Sequence, residues 1–328
     1  MDQSIKSKSF TSWIKGNARH LVPYGGLIFC IILFSILPPI FGTNMWSATK
    51  ISTLVSDVIV VALMSVGAVF VYSLGNLDIS IGSQIRLYAT LLVIMGNITG
   101  NLFLGIVVSI IISTVIGMLN GAAGQVLKIH PVVSSVTFSM ALTGITTIIY
   151  VSQGSRNIRL SGIEISIFKE TWFMALVLVL EVLIVSYLFY YTKLGKNARA
   201  IGANPVVAEQ SGINLLKYKM LCYVILGVCV VIASLFQMGY TGSASDSTGI
   251  GFEMNVMVAL ILGGMPLSGG MKARVSSAII GSLIFSILKV GLPLIGVPNN
   301  MTFLIKAVIF IVVVLITCRK KGGPLPTR

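Results

Sequence analysis

The chain has 328 residues, of which 55% are hydrophobic and only 10% are charged, and its formal net charge is +14. A soluble chain would carry roughly a quarter charged residues, and its apolar segments would alternate with polar faces. The composition therefore excludes a soluble globular protein. Nucleic-acid binding is also excluded, because no basic residues interleave with aromatic residues on a soluble face.

Ten apolar runs approach the roughly 20 residues that a helix needs to cross a hydrocarbon core about 30 Å thick. We therefore predict an all-α integral membrane protein, a polytopic bundle of about ten transmembrane helices spanning 21–318, with tails at 1–20 and 319–328. The first run is too long for a signal-peptide core and lacks a small-residue cleavage site, so it should remain as a spanning helix. The predicted spans are 21–40, 51–74, 83–95, 102–127, 131–151, 172–191, 218–240, 252–267, 275–292 and 301–318.

The positive charges predict the orientation, because cytoplasmic loops of membrane proteins carry an excess of Lys and Arg. With an even number of spans, both tails lie on the same side, and most basic residues outside the spans fall on that side. Both termini are therefore predicted to be cytoplasmic. The opposite side receives only Lys50, Arg156, Arg159 and Lys169.

A polar island, AIGANPVVAEQSGIN at 200–214, lies inside the longest predicted cytoplasmic loop, 192–217. It contains the turn-forming residues Gly202, Asn204, Pro205 and Gly212, and its VVAEQ segment is long enough for just over one helical turn. This pattern predicts a short helix held between turns. An ordinary solvated loop is the alternative interpretation.

The chain lacks the residues that an enzyme or a metal site would need. It has nine carboxylates, no GxSxG or GxxxxGK[ST] motif, and cysteines and histidines that are scattered along the chain. We therefore expect no catalytic residue, no metal site and no bound cofactor. If the protein moves a solute by ATP hydrolysis, the ATPase must be another chain, and the island would be its docking surface.

Five segments of the chain share the pattern of one protein family, namely AIGANPVVAEQSGIN, GNLDISIGS (75–83), IGMLNGAAGQVLKIHP (116–131), GFEMNVMVALILGGMPLSGG (251–270) and VGLPLIGVPNNMTFLIKAVIF (290–310). They resemble the permease subunits of bacterial ATP-binding-cassette (ABC) importers of the ribose and branched-chain amino acid superfamily, and the sugar-type branch is the more similar. The resemblance extends over 50–318. Departures from the family pattern occur at His130, Val132, Met265-Pro266 and Ala307.

The resemblance implies a multi-pass permease subunit in the bacterial cytoplasmic membrane that forms the path of a small polar solute such as a monosaccharide. Its implied partners are a cytoplasmic ABC ATPase that uses ATP-Mg, an extracytoplasmic solute-binding protein, a second copy or paralogue of the permease, and membrane lipid. The residues implied to couple to the ATPase are Ala200, Ile201, Gly202, Asn204, Pro205, Ala208, Glu209, Ser211 and Gly212.

Two Gly-rich breaks in the apolar runs, 74–82 and 262–270, show a weak internal sequence similarity. Each is followed at the same distance by an arginine, Arg86 and Arg274 respectively. Paired breaks of this kind indicate the central site or gate of a transporter. The alternative is that both breaks end spans at the cytoplasmic face and that each Arg anchors the topology. The candidate path or gate residues are Asp78, Ser80, Gly82, Gly263, Gly264, Ser268 and Gly269.

Five charged residues lie within apolar runs, namely Asp57, Glu181, Glu253, Lys289 and Lys306. Such residues usually pair inside a helix bundle, and a proton relay is the alternative for Glu181. The GxxxG motif at 117–121, extended by Gly124, predicts close helix packing within or between subunits.

Two alternatives remain open for the function. An ion-coupled secondary transporter would use Asp57, Asp78, Glu181 or Glu253 as its coupling site, and a passive channel would leave the island without a role. Within the importer class, branched-chain amino acids and nucleosides remain possible solutes.

Overall fold

The computed structural model describes residues 10–298 together with 301, 304–305, 307–308 and 311, and it describes side chains from Val22 onward. Most of the span predicted at 301–318, including Lys306, and the whole C-terminal tail lie outside the described residues. The first helix begins at Phe10, inside the segment predicted as the N-terminal tail.

The described part of the chain contains eleven α-helices, one 3-10 turn and two short strands. In chain order they are α1 (Phe10–Ile40), α2 (Ala48–Ser73), α3 (Ile81–Thr99), α4 (Leu102–Val126), α5 (Pro131–Ser152), β1 (Asn157–Arg159), the 3-10 turn (Ser166–Lys169), α6 (Thr171–Tyr191), α7 (Lys193–Ala203), α8 (Pro205–Gln210), α9 (Leu215–Thr241), β2 (Ser243–Ser245), α10 (Phe252–Leu262) and α11 (Val275–Leu294).

Eight of the described helices are long and apolar enough to cross a membrane, namely α1 to α6, α9 and α11. The predicted all-α polytopic membrane fold is therefore confirmed. The complete span predicted at 252–267 is wrong, because α10 has only 11 residues. At about 1.5 Å per residue, α10 is too short to cross the hydrocarbon core.

The core of the bundle is built around α2 and α9. The second half of α2 is buried without interruption from Ile59 to Ser73, and it packs against α9, α11, α6 and α10. The other main partner of α9 is α4. By contrast, α4, α5 and α6 expose many large apolar side chains. Such surfaces suit contact with lipid, and the backbone polar groups of a helix, which lipid could not satisfy, are hydrogen-bonded within the helix.

The GxxxG motif allows the close contact of α4 with α9. A Cβ atom at Gly117 would lie 2.8 Å from the carbonyl oxygen of Tyr223, and one at Gly121 would lie 2.8 Å from the Cα atom of Met220. Real Cβ atoms essentially never approach backbone atoms so closely. The predicted close packing is confirmed, and it occurs within one chain.

The two strands and the short helices α7 and α8 lie at opposite ends of the bundle. The strands form an antiparallel pair between the α5–α6 connection and the segment after α9. Asn97, near the end of α3, donates to the carbonyl oxygen of Arg159 at 2.8 Å and accepts from the amide of Ser161 at 2.9 Å. Because α6 runs from this strand pair to α7, its 21 residues separate the two ends by about 30 Å.

An ion pair between Lys289 and Asp57 joins α11 to α2. The predicted pairing of Lys289 with a carboxylate inside the bundle is thus confirmed.

We expect Asp57→Asn and Lys289→Met each to lower the unfolding temperature in detergent, because each leaves a partly buried charge without its partner. The loss of unfolding free energy in the double variant should be smaller than the sum of the losses in the two single variants, by an interaction energy of about 0.5–3 kcal/mol. Additive losses would show that the pair contributes no coupling.

Candidate functional site

The polar island folds as two consecutive short helices, α7 and α8. Asn204 separates them, and its side chain accepts hydrogen bonds from the amides of Val206 at 3.0 Å and Val207 at 3.2 Å. Pro205 occupies the first turn of α8, where its missing N–H has no cost. Gly212, at φ +81°, ends this segment. The predicted short helix is therefore present, whereas the longer α7 before it was not predicted.

The helix α7 packs directly on the backbone of the bundle. Ile201 is buried, and a Cβ atom at Gly202 would overlap the carbonyl oxygen of Ser73 and lie 2.8 Å from the amide nitrogen of Gly270. That amide donates to the same carbonyl oxygen at 2.8 Å. One helix therefore contacts the end of α2 and the Gly-rich connection between α10 and α11 at a single point.

The helix α8 turns one small residue inward and its larger residues outward. Ala208 is buried, whereas Val206 is 61% exposed and Val207 is 54% exposed. Asn204, Glu209, Ser211 and Gly212 are exposed beside them. Sequence reasoning missed the two valines, although two adjacent β-branched apolar residues within a polar island were a visible signal.

The two Gly-rich breaks meet each other beside α7. A Cβ atom at Gly75 would lie 2.9 Å from the carbonyl oxygen of Ser268, and one at Gly269 would overlap the backbone of Gly75. Gly269 is left-handed, at φ +68°, and Gly75 at φ +77°. The structure thus brings together Ser268 and Gly269 of the second break with the start of the first break.

Asp78 and Ser80 lie at the other end of the first break, in a buried hydrogen-bond network. The Oδ1 atom of Asp78 accepts from the amide and the hydroxyl of Ser80, at 2.8 and 2.6 Å. Gln84 Nε2 donates to the hydroxyl of Ser80 at 2.8 Å, and Asn120 Nδ2 lies 3.4 Å from Asp78 Oδ2. The network connects the break to α3 and α4.

The other three glycines of the breaks make separate packing contacts. A Cβ atom at Gly82 would overlap the carboxylate of Glu253, and one at Gly263 would lie 3.0 Å from the amide nitrogen of Gly281. At Gly264 it would lie 2.8 Å from Cγ of Pro23 in α1. Gly82, Gly263 and Gly264 are therefore not gathered with Ser268 and Gly269 at one point.

Comparison with known proteins identifies the family. The family model described as the permease component of branched-chain amino acid transport systems matches residues 50–314. The chain belongs to this permease family. It is therefore a multi-pass protein of the plasma membrane, and the interpretation as an ion-coupled secondary transporter loses its support.

The permease is similar over most of its length to sugar import permeases. It is 25% identical over 312 residues to the ribose import permease protein RbsC of Escherichia coli strain K12, which covers 92% of this chain and 95% of the relative. It is 29% identical over 315 residues to RbsC of Bacillus subtilis strain 168, covering 94% and 95%. It is 28% identical over 338 residues to the galactose/methyl galactoside import permease protein MglC of Salmonella typhimurium, covering 97% and 98%. No solved structure gives a significant match.

The two arginines that follow the breaks of the permease have different environments. Arg274 is exposed just before α11, as expected of a topology anchor. Arg86 is buried in α3, and its Nη2 donates to Thr147 Oγ1 in the second half of α5 at 3.3 Å. The interpretation of Arg86 as an anchor is therefore wrong, because its side chain points into the bundle.

Glu181 of the permease is buried in α6, beside the thiol of Cys229 in α9. Within residues 22–298, no Lys or Arg forms an ion pair with it. Pairing with a basic residue therefore does not explain this carboxyl group, and its participation in a proton relay stays a prediction.

Proposed function

We propose that the chain is the membrane-spanning permease subunit of an ABC importer and that it forms the path of a monosaccharide. Membership of the permease family supports the transport role, and the sugar import permeases among the relatives support the solute class. The chain itself binds no cofactor, and ATP-Mg is bound and hydrolysed by a separate cytoplasmic ATPase. Branched-chain amino acids and nucleosides remain the alternative solutes.

The observation that carries the proposal is the position of α7 and α8. These helices project exposed apolar and polar side chains from one end of the bundle, and they connect α6 directly to α9. A rigid ATPase that holds α8 can therefore move both spans together. Rigid movement of one part of a bundle against another is the usual basis of alternating access.

The predicted coupling residues divide into two groups by burial. Ile201, Gly202 and Ala208 face the bundle and pass movement to α2 and to the connection before α11; Ala200 is partly buried beside them. Asn204, Pro205, Glu209, Ser211 and Gly212 are exposed and contact the ATPase.

The contact between the two Gly-rich breaks is the proposed gate at this end of the path. Gly75 touches Ser268 and Gly269, and α7 packs on the same backbone through Gly202. A shift of α7 therefore acts on both breaks at once. The network of Asp78 and Ser80 holds the first break against α3 and α4 while its other end moves.

The remaining partners are assigned by the ends of the bundle. The solute-binding protein delivers solute at the end that carries β1 and β2, since the opposite end is occupied by the ATPase. A second copy or a paralogue of the permease completes the path, and lipid surrounds the exposed apolar faces of α4, α5 and α6.

Affinity purification of the permease from its native membrane in mild detergent tests the proposal. We expect mass spectrometry to find a cassette ATPase with the wild-type chain and to lose it with the variant Glu209→Lys/Gly212→Ala, because reversed charge and a strained left-handed residue both disturb the exposed surface. Glu164→Lys is the matched control, an exposed charge reversal at the opposite end. A chain that purifies alone in every form would overturn the proposal.

A further inference from the structure

A cavity of about 300 Å³ lies between α3, the second half of α5 and the segments around the two strands. It adjoins the end of the bundle where solute is proposed to enter. Its volume matches the lower end of the range for small-molecule sites, roughly 300–1,000 Å³. Its lining includes Arg86, Thr147, Tyr150, Ser155, Arg156 and Asp246.

Arg86 is the buried charge of this cavity. Its exposed fraction is 9%, and its guanidinium carbon lies 5.6 Å from the centre of the Tyr150 ring. One nitrogen donates to Thr147 Oγ1, while Nε is buried without a hydrogen-bond partner. The arginine therefore keeps hydrogen-bonding capacity that no described group uses.

No carboxylate in the described part of the chain forms an ion pair with Arg86. Asp246, at the wall of the same cavity, lies 3.9 Å from the highly exposed Arg156. Asp78 is bonded to Ser80 and Asn120, and the carboxylate of Glu253 packs against Gly82. Among the residues whose side chains the structure describes, Arg86 therefore has no carboxylate within ion-pair distance.

A buried and unpaired charge is costly in a protein interior, so its presence in a cavity calls for a partner from outside the chain. A neutral sugar would offer only hydroxyl groups and would leave the charge unbalanced. A carboxylate or phosphate group would accept a hydrogen bond from the guanidinium and balance the charge. Arginine is well suited to this role, because its planar fork matches both groups.

We propose that the cavity is an anion-binding subsite and that the permease transports a monosaccharide bearing one acidic group, which Arg86 binds. This inference rests on the proposed function and narrows its solute class. Thr147 and Ser155 line the same cavity and supply hydroxyl groups for the sugar ring, and the exposed pair of Arg156 and Asp246 lies at the wall beside them.

Uptake by cells that express the complete importer tests the subsite with two matched pairs of labelled probes, galactose with galacturonate and ribose with ribose 5-phosphate. We expect the wild-type importer to favour an acidic member over its neutral partner. Arg86→Gln should lower uptake of the acid at least about tenfold and leave the neutral partner little changed. Arg86→Lys should retain part of the uptake, and Arg159→Gln, an exposed arginine at the same end, should stay within about twofold of the wild type.

Three outcomes would overturn the subsite. They are import of neither acid by the wild type, wild-type uptake of the neutral partner that equals or exceeds that of the acid, and an equal loss for acidic and neutral partners in Arg86→Gln at unchanged membrane abundance. The first identifies another solute, the second a neutral path, and the third a structural role for Arg86. The proposed function fails separately, if uptake persists when the partner ATPase is inactivated. The carboxylate and phosphate probes distinguish the two sources of the acidic group.

Discussion

Replacing Gly202 with alanine is expected to lower solute uptake by the importer at least about tenfold. The added Cβ atom would overlap the carbonyl oxygen of Ser73 and approach the amide nitrogen of Gly270 at 2.8 Å. Both neighbours are backbone atoms joined by a hydrogen bond, so neither can move aside cheaply. The helix α7 must then lift away from the bundle, and movement of the ATPase would no longer reach the two Gly-rich breaks.

The matched control is Gly144→Ala in α5, where an added Cβ atom would meet no other atom within 4 Å. Uptake by this variant should stay within about twofold of the wild type, because alanine also has the higher helix propensity. Purification of Gly202→Ala in detergent distinguishes lost docking from lost coupling. If the variant retains the ATPase, docking is intact and coupling is lost; if the ATPase is absent, docking itself is lost. Wild-type uptake by Gly202→Ala would show that α7 does not transmit movement through this contact.

The sequence was sufficient for the spans whose apolar runs coincide with single helices. The run at 252–267 misled the prediction because hydropathy does not register where a helix ends. Gly263, Gly264 and Pro266 interrupt the backbone while the surrounding residues remain apolar. The helix α7 escaped prediction for the opposite reason, since its polar residues Lys193, Lys196 and Arg199 resemble a loop.

The candidate site was predictable only where its determinants are local. The caps and turns around α8 depend on Asn204, Pro205 and Gly212, which are neighbours in sequence. The packing of Gly202 depends on Ser73 and Gly270, which are remote in the chain and offer only backbone atoms. No pattern of residue types could have indicated that contact.

The environment of Arg86 was likewise not predictable from neighbouring residues in the sequence. Its position after the first break matched that of Arg274 after the second, and the similarity of the two breaks suggested the same role for both arginines. Burial separates them, because α3 places Arg86 against Thr147 and Tyr150 of α5, whereas Arg274 stays at the surface. A charge in an apolar run therefore acquires its function from the helices that surround it.

The contact between α4 and α9 gives the second prediction with a large effect. Gly117→Ala and Gly121→Ala should each lower the free energy of unfolding in detergent by about 1–3 kcal/mol, the usual cost of overpacking. In both cases the added Cβ atom would lie 2.8 Å from backbone atoms of α9. The double variant should fail to accumulate in the membrane, since α4 would be forced away from the helix that organises the core.

Gly124→Ala is the control within the same motif. There the nearest atom to an added Cβ would be the carbonyl oxygen of Ile129 at 3.5 Å, an ordinary contact. This substitution should be neutral or stabilising, because alanine favours the helix over glycine by about 1 kcal/mol. Equal losses at Gly121 and Gly124 in the unfolding experiment would contradict close α4–α9 packing and would indicate a general intolerance of α4 to larger residues.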